Sequence, residues 1–184
     1  MTAPAAVVLV EGRSDLAAVR AAATVLGVDL DAAGIDVVAM DGVTNLLRAL
    51  TALPTGARPI VLADGAEEPW VRRALARIPD PPPVLLCDRD LEDELLAALG
   101  DERALAVLEE AGDLAAFRVF AGQPAQRDRS ERARLHRFVG TASGRKERMA
   151  AAFTAALGAG ELPPPLAGAI RGAMAAAQPR RARA

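Results

Sequence analysis

Residues 7–15 read VVLVEGRSD, and this stretch decides the fold. Four apolar residues run without alternation into Glu11, a pattern typical of a strand that is buried on both faces within a parallel sheet. Ser14 is a candidate N-cap for a helix over residues 15–25. Glu11 is therefore expected at the carboxyl end of a central strand, with Asp15 in the first turn of the helix that follows.

Glu11 and Asp15 together form a candidate metal site. Ligands of open α/β sheets bind at the carboxyl edge of the strands, and two carboxylates there can share a divalent cation through hard oxygen ligands. The alternative is structural, because Asp15 also favours a helix N-terminus and Glu11 fits a solvated loop. The spacing alone leaves both interpretations open.

The composition excludes several kinds of site. The chain has 184 residues, is 52% apolar and only 3% aromatic, and contains one cysteine and one histidine. A Cys/His zinc site, a disulfide and a Cys-His catalytic pair are thereby excluded. We expect Cys87 to be a buried small hydrophobe and His136 to lie on a helix surface. Without a signal peptide or a membrane-spanning apolar run, the sequence predicts a cytoplasmic protein.

The net charge of −2 hides a strong asymmetry along the chain. Residues 1–117 hold 9 basic and 20 acidic residues, whereas residues 118–184 hold 13 basic and 4 acidic ones. The first part is typical of a carboxylate-rich site, and the second could meet phosphates. An ordinary arginine-rich solvated surface is the alternative for the second part.

Strand-like runs alternate with helical segments up to residue 87, which predicts an α/β fold with a mainly parallel four-stranded sheet. Beyond that point the pattern is helical, with residues 118–120 unassigned. We divide the chain into an α/β core (1–113), basic C-terminal helices packed on it (114–177) and a disordered tail (178–184). The predicted strands are 6–10, 35–40, 58–63 and 83–87, and the predicted helices are 15–25, 44–53, 67–78, 91–99, 103–111, 126–139, 144–157 and 166–177.

Two further acidic groups follow the third and fourth predicted strands. Asp64 comes directly after the third strand, with Glu68 behind it, and Asp90 is a candidate cap for a helix whose first turn contains Glu92 and Asp93. Each group alone also fits an ordinary helix N-terminus. Three carboxylate clusters at one sheet edge would repel one another unless protons or cations were present, so their coincidence favours a metal site.

Lys146 is the only lysine in a chain that has 22 basic residues. An ammonium is a compact charge that can stabilise a developing phosphorane or a leaving oxygen, although a single surviving surface lysine is the alternative. Ser143 is a candidate N-cap for the helix that contains Lys146. The order Gly-Arg-Lys-Glu excludes a Walker A loop here.

The Val-Glu-Gly-x-x-Asp motif at residues 10–15 resembles the opening motif of the Toprim domain of topoisomerases, primases and the "overcoming lysogenization defect" (OLD) nucleases. Asp-Leu-Glu at residues 90–92 and the late lysine in Ser-Gly-Arg-Lys, residues 143–146, are similar to the OLD type. The resemblance covers about residues 5–150. It implies a Toprim-like, Rossmann-like fold with added C-terminal helices, free-standing without the ATPase domain, so that any ATP coupling needs an ATPase partner in trans.

The resemblance also implies the roles of individual residues. Glu11 would be both a metal-site and an acid/base residue, and Lys146 would offset charge in the transition state. One departure stands out, since the family usually has Asp-x-Asp where this chain has Asp64-Gly65-Ala66. A further oxygen would then come from Glu67, Glu68 or water. The metal ligands for Mg²⁺ or Mn²⁺ would be Glu11, Asp15, Asp64 and Glu68, with Glu92 and Asp93 at a second ion.

The function that the resemblance implies is metal-dependent endonuclease hydrolysis of phosphodiester bonds in DNA. RNA as the substrate and a homodimer both stay open. Topoisomerase chemistry is excluded, because the chain has no tyrosine to form the covalent link. The alternatives are a catalytically degenerate module that binds nucleic acid or a partner ATPase, and a small phosphatase or nucleotidyl transferase. The candidate nucleic-acid contacts are Arg134, Arg137, Ser143, Arg145 and Arg148.

Overall fold

The computed structural model of the chain describes residues 3–142 and 144–178. Within them, four parallel strands form one sheet in the order β2-β1-β3-β4, flanked by helices, which confirms the predicted α/β fold. The strands are β1 (Ala6–Val10), β2 (Ile35–Ala39), β3 (Arg58–Ala63) and β4 (Val84–Leu86). The helices are α1 (Arg13–Val25), α2 (Leu46–Thr51), α3 (Glu68–Leu75), α4 (Leu91–Glu110), α5 (Leu114–Ala121), α6 (Glu131–Val139), α7 (Arg145–Ala155) and α8 (Pro164–Ala177).

Strand β1 is buried along its whole length, as its unbroken apolar run predicts. Val8 and Val10 belong to the apolar cluster that contains α1 and the C-terminal helices. Val7 and Leu9 belong to the second cluster, which the sheet shares with α2 and α3. Burying such a side chain stabilises the fold by about 1.5–3 kcal/mol, so helices on both faces of the sheet hold β1 in place.

The C-terminal helices share the core with the sheet. Helix α7 packs along α1, and α8 packs against β3 and β1. One apolar cluster connects β1 and α1 with α4, α6, α7 and α8. This packing places the start of α7, and therefore Lys146, near the start of α1.

Helix α4 contains the break that the sequence predicts between its two helical segments. Gly100 has φ +73° and ψ 162°, so residues 91–99 and 101–110 are separate helical runs. A positive φ strains any residue with a Cβ atom. The glycine therefore allows the chain to change direction between the two runs.

Two local predictions were wrong, and one segment without a prediction is helical. Gly12, not Ser14, is the N-cap of α1. Residues 118–120, left unassigned, belong to α5. Helix α6 begins at Glu131 rather than near residue 126, because Ser130 caps it by accepting a hydrogen bond from the Ala133 N–H at 3.2 Å.

Two other expectations concern burial and the membrane. Cys87 is buried, as predicted. Among the described residues, no helix combines the length and the apolarity needed to cross a membrane. The tail predicted over residues 178–184 lies, apart from Gln178, outside the described residues.

Candidate functional site

The carboxyl edge of the sheet brings the predicted acidic residues together. Glu11 directly follows β1 and Asp64 directly follows β3, and these two strands pair in parallel. Asp15 lies in the first turn of α1, where its Oδ2 accepts a hydrogen bond from the Gly12 N–H at 2.8 Å. Glu92 lies in the first turn of α4 and is only 4% exposed.

Glu11 carries a buried oxygen atom without a partner. Its Oε2 makes no hydrogen bond to any residue that the structure describes. Burial raises the pKa of Glu11 above its ordinary value, and the charges of Glu67 and Glu92 raise it further, while Lys146 lowers it. A buried polar oxygen without a partner is costly, so this carboxylate is suited to a ligand.

The two neighbouring aspartates are destabilised as anions. Burial raises the pKa of Asp15 to about 6; the Gly12 N–H opposes this rise, and the charges of Glu92 and Glu11 add to it. Burial also raises the pKa of Asp64 to about 7, helped by the charges of Asp15, Glu11 and Glu92. The cluster therefore favours a bound proton or a bound cation over a full set of free charges.

Lys146 is the cation of this cluster. Helix α7 begins at Arg145, so Lys146 lies in its first turn, and its Nζ forms an ion pair with Glu92 Oε1 at 3.1 Å. Partial burial lowers the pKa of Lys146, but the charge of Glu92, followed by those of Asp15 and Asp64, raises it above the ordinary value. The ammonium is therefore charged at neutral pH and stands beside the carboxylates.

A cavity of about 520 Å³ opens next to these residues. One part of its wall carries acidic groups and Lys146, and another part comes from α5, α6 and the loop after α6. Its lining residues are Asp64, Arg89, Asp90, Glu92, Phe120, His136, Arg137, Val139, Gly140, Thr141 and Lys146.

His136 lies on α6, where it is partly exposed and forms part of the cavity wall. Its Nε2 is 2.9 Å from both carboxylate oxygens of Asp90. Asp90 also caps α4, as predicted, because its Oδ1 accepts a hydrogen bond from the Asp93 N–H at 2.8 Å. Burial would raise the pKa of Asp90, but the hydrogen bonds from His136 and Asp93 hold it below its ordinary value.

A family comparison matches the first three strands and the residues that directly follow them. Residues 5–65 match the family described as "Overcoming lysogenization defect protein-like, TOPRIM domain". Residues 5–65 carry an OLD-like Toprim sequence. The match includes Glu11, Asp15 and Asp64 and ends before Glu67, Glu68 and α4. Among curated proteins, no sequence matches the chain.

Solved structures extend this likeness over nearly the whole chain. The C-terminal region of the OLD protein of Xanthomonas campestris pv. campestris is 25% identical, with a TM-score of 0.68, and the match covers 96% of this chain and 98% of that one. The C-terminal region of the Burkholderia pseudomallei OLD protein shares the fold at 21% identity, with a TM-score of 0.69 and coverage of 95% and 99%. The C-terminal helices are therefore part of the shared architecture.

The loop after β3, which contains the departure from Asp-x-Asp, packs closely against the loop after β4. A Cβ atom at Gly65 would lie 2.3 Å from the Asp88 carbonyl oxygen and 2.6 Å from that of Cys87. The Gly65 N–H donates to the Arg89 carbonyl at 3.1 Å. Glycine thus allows two loops of the acidic edge to touch, while Ala66 supplies no oxygen ligand.

Two of the predicted metal ligands point to other partners. Glu68 forms an ion pair with Arg72 on α3 at 2.5 Å, whereas Glu67 is the residue whose charge acts on Glu11. Asp93 accepts hydrogen bonds from the Nε of Arg132 at 3.2 Å and from its Nη2 at 3.0 Å. The structure therefore does not place Glu68 or Asp93 with the acidic cluster of Glu11.

Most of the predicted nucleic-acid contacts bind groups of the protein itself. Arg145 and Arg148 both reach Asp113, at 3.5 and 2.5 Å. Arg134 donates to the carbonyl oxygens of residues 126 and 127. Arg137 is exposed and lines the cavity, while Ser143 lies outside the described residues.

The residues that sequence reasoning missed are the pairs between α6 and the start of α4. Arg132 and His136 are spaced i,i+4 and meet Asp93 and Asp90, which are spaced i,i+3. Matching charges at helical spacings were the available signal. Sequence alone does not say which two helices face each other.

Proposed function

We propose that this OLD-like Toprim domain hydrolyses phosphodiester bonds of DNA in a divalent-metal-dependent reaction. The observation that carries the proposal is the convergence of Glu11, Asp15 and Asp64 on one sheet edge, where burial and mutual repulsion raise the pKa of each. Beside them, Lys146 is held by Glu92 at 3.1 Å. A cation site next to a fixed ammonium is suited to a phosphate group that gains charge.

The donor set fits Mg²⁺ or Mn²⁺. Toprim domains generally bind divalent metals, and carboxylate oxygens are the ligands that these hard ions prefer. Glu11, Asp15 and Asp64 would hold the ion, and the Glu11 oxygen without a partner supports this assignment. Within residues 3–142 and 144–178, no three candidate ligands lie close enough together to hold a metal. Binding an ion with all three carboxylates therefore requires these side chains to rotate. A bound ion would supply Lewis acidity and a more acidic water.

The chain's own residues supply the remaining chemistry. Glu11 would accept a proton from the attacking water, and burial, which raises the pKa of this carboxyl above its ordinary value, favours the role of a base. Lys146 would stabilise the charge that develops on the phosphate oxygens. Glu92 would position Lys146 through their ion pair.

A plasmid assay tests the proposal. Supercoiled plasmid is incubated with the protein in Mg²⁺, Mn²⁺ or EDTA, beside Glu11→Gln and the control Glu110→Gln, which changes an exposed residue at the end of α4. We expect nicked or linear DNA with metal for the unaltered protein and for Glu110→Gln, and none for Glu11→Gln. Intact plasmid in every lane, with folded protein, contradicts the proposal.

Ala66 favours a second candidate, a catalytically degenerate module that binds nucleic acid without cutting it. The chain lacks the second aspartate of Asp-x-Asp, which removes one oxygen ligand from the acidic edge. This candidate predicts metal-dependent DNA retention in a gel with no product. Turnover in the plasmid assay excludes it.

A further inference from the structure

The cavity beside the acidic edge contains one cation that stands apart from the others. Three of its basic residues, Arg89, His136 and Lys146, contact carboxylates at the start of α4. Arg137 lines the same cavity and is exposed, and it forms no ion pair or side-chain hydrogen bond with the described part of the chain. The wall formed by α6 therefore offers a charge that is free to bind an anion.

The sheet edge contributes a carboxylate without a partner to the same cavity. Asp64 lines the cavity, and its carboxylate forms no hydrogen bond or ion pair with the residues that the structure describes. The cavity thus presents a carboxylate suited to a cation and an arginine suited to an anion. A DNA strand could fill both positions. Its scissile phosphate would lie over the acidic edge, with a bound cation, and the neighbouring phosphate would reach Arg137.

The cavity also has an apolar wall. Phe120 lines it and is held against Phe138, with ring centroids 5.6 Å apart and an angle of 51° between the rings. Aromatic side chains bind unpaired bases by stacking. A volume of about 520 Å³ falls within the range of about 300–1,000 Å³ for pockets that hold small molecules, the size class of one nucleotide rather than of a base-paired duplex.

We infer that the cavity binds a single unpaired nucleotide next to the phosphodiester bond that is cut, with its phosphate on Arg137 and its base against Phe120. The inference rests on the proposed function and specifies its substrate class as single-stranded or frayed DNA. Base pairing would keep the nucleotide out of the cavity. In a free strand the phosphate can reach Arg137 while the base reaches Phe120.

A binding assay without turnover tests this inference. A fluorescent single-stranded oligonucleotide is titrated with protein in Ca²⁺ and followed by anisotropy, using Arg137→Gln and the control Arg171→Gln, an exposed arginine on α8. Loss of one charge-assisted phosphate contact should weaken binding about tenfold and reduce the salt slope by about 0.7. Arg171→Gln should bind as the unaltered protein does.

The base and the strand are tested separately. Phe120→Leu keeps an apolar side chain but removes the stacking surface. We therefore expect this variant to bind the single strand more weakly and to bind a blunt hairpin duplex with unchanged affinity. Equal affinities of Arg137→Gln and the unaltered protein overturn the inference, as does tighter binding of the duplex. Loss of binding in Arg137→Gln without any cleavage of the single strand by the unaltered protein in Mn²⁺ supports the subsite and refutes only the nuclease proposal.

Discussion

Lys146 Nζ lies 3.1 Å from Glu92 Oε1, which joins the first turn of α7 to the first turn of α4. The two side chains differ in exposure, since Glu92 is almost fully buried and Lys146 is half exposed. The carboxylate is thus the fixed partner, and the ammonium remains accessible from the cavity. This pair holds the exposed Lys146 beside the acidic edge.

Replacement of Lys146 should slow cleavage more than it weakens DNA binding. Removing one electrostatic stabiliser typically lowers a rate by about 10²–10³-fold, so we expect that loss in Lys146→Met. Lys146→Arg should not restore the rate, because a planar guanidinium does not replace a compact ammonium. Single-turnover cleavage of labelled DNA in Mn²⁺ measures this effect, and an unchanged rate in Lys146→Met contradicts the assignment.

The raised pKa of Asp64 predicts a pH-dependent stability. Its folded-state pKa is about 7, against an ordinary value of 3.8, so the folded protein holds a proton that the unfolded chain releases. The free energy of unfolding should therefore decrease as the pH rises from about 4 to about 7 and level off above that. We expect Asp64→Asn to be more stable than the unaltered protein by about 1–2 kcal/mol at about pH 8, after allowance for solvent screening.

Urea unfolding at two pH values checks this expectation. The gain from Asp64→Asn should be present at about pH 8 and largely absent at about pH 4, close to the ordinary pKa of 3.8, where the unfolded chain also binds the proton in part. The same gain at both pH values would show that the substitution acts through packing rather than through charge.

Asp113 should support the position of Lys146. Its carboxylate contacts Arg145 at 3.5 Å and Arg148 at 2.5 Å, and these residues flank Lys146 on the first turns of α7. Asp113→Asn weakens both pairs, so we expect a loss of about 1–3 kcal/mol in the free energy of unfolding and a slower cleavage step with nearly unchanged DNA affinity. Full activity at a temperature well below unfolding would contradict the positioning role.

Gly65 should tolerate no side chain. A Cβ atom there would lie 2.3 Å from the Asp88 carbonyl oxygen, and this backbone cannot move without displacing the loop after β4. We expect Gly65→Ala to lower the free energy of unfolding by about 1–3 kcal/mol. Gly160→Ala is the matched control, because a Cβ atom at Gly160 meets nothing within 4 Å, and thermal melts of the two variants make the comparison.

The sequence predicted the strands and the residues that follow them, because these depend on short stretches of neighbouring residues. The unbroken run of β1 places Glu11 at the sheet edge, and the strand ends place Asp64 and the start of α4 beside it. What sequence could not supply is the pairing of distant helices. It did not show that α6 brings His136 to Asp90, or that Asp113 binds Arg145, because such contacts depend on how α4 to α7 pack in three dimensions.

The arginines illustrate the same limit. Their density at residues 127–148 indicated a phosphate-binding face, yet Arg132, Arg134, Arg145 and Arg148 contact protein groups. A guanidinium satisfies a carboxylate or a carbonyl of its own chain as readily as a phosphate. Only the fold distinguishes Arg137, which lines the cavity and lacks a partner among the described residues.

The most direct test of the central claim is hydrolysis in ¹⁸O-labelled water. A short oligonucleotide is incubated with the protein and Mn²⁺, and the cleaved products are weighed by mass spectrometry beside those of Glu11→Gln. We predict one ¹⁸O atom in the phosphate at the cut end for the unaltered protein and no product for Glu11→Gln. Uncut oligonucleotide with folded, metal-bound protein, or cleavage that survives in Glu11→Gln, would contradict a hydrolytic site at this edge.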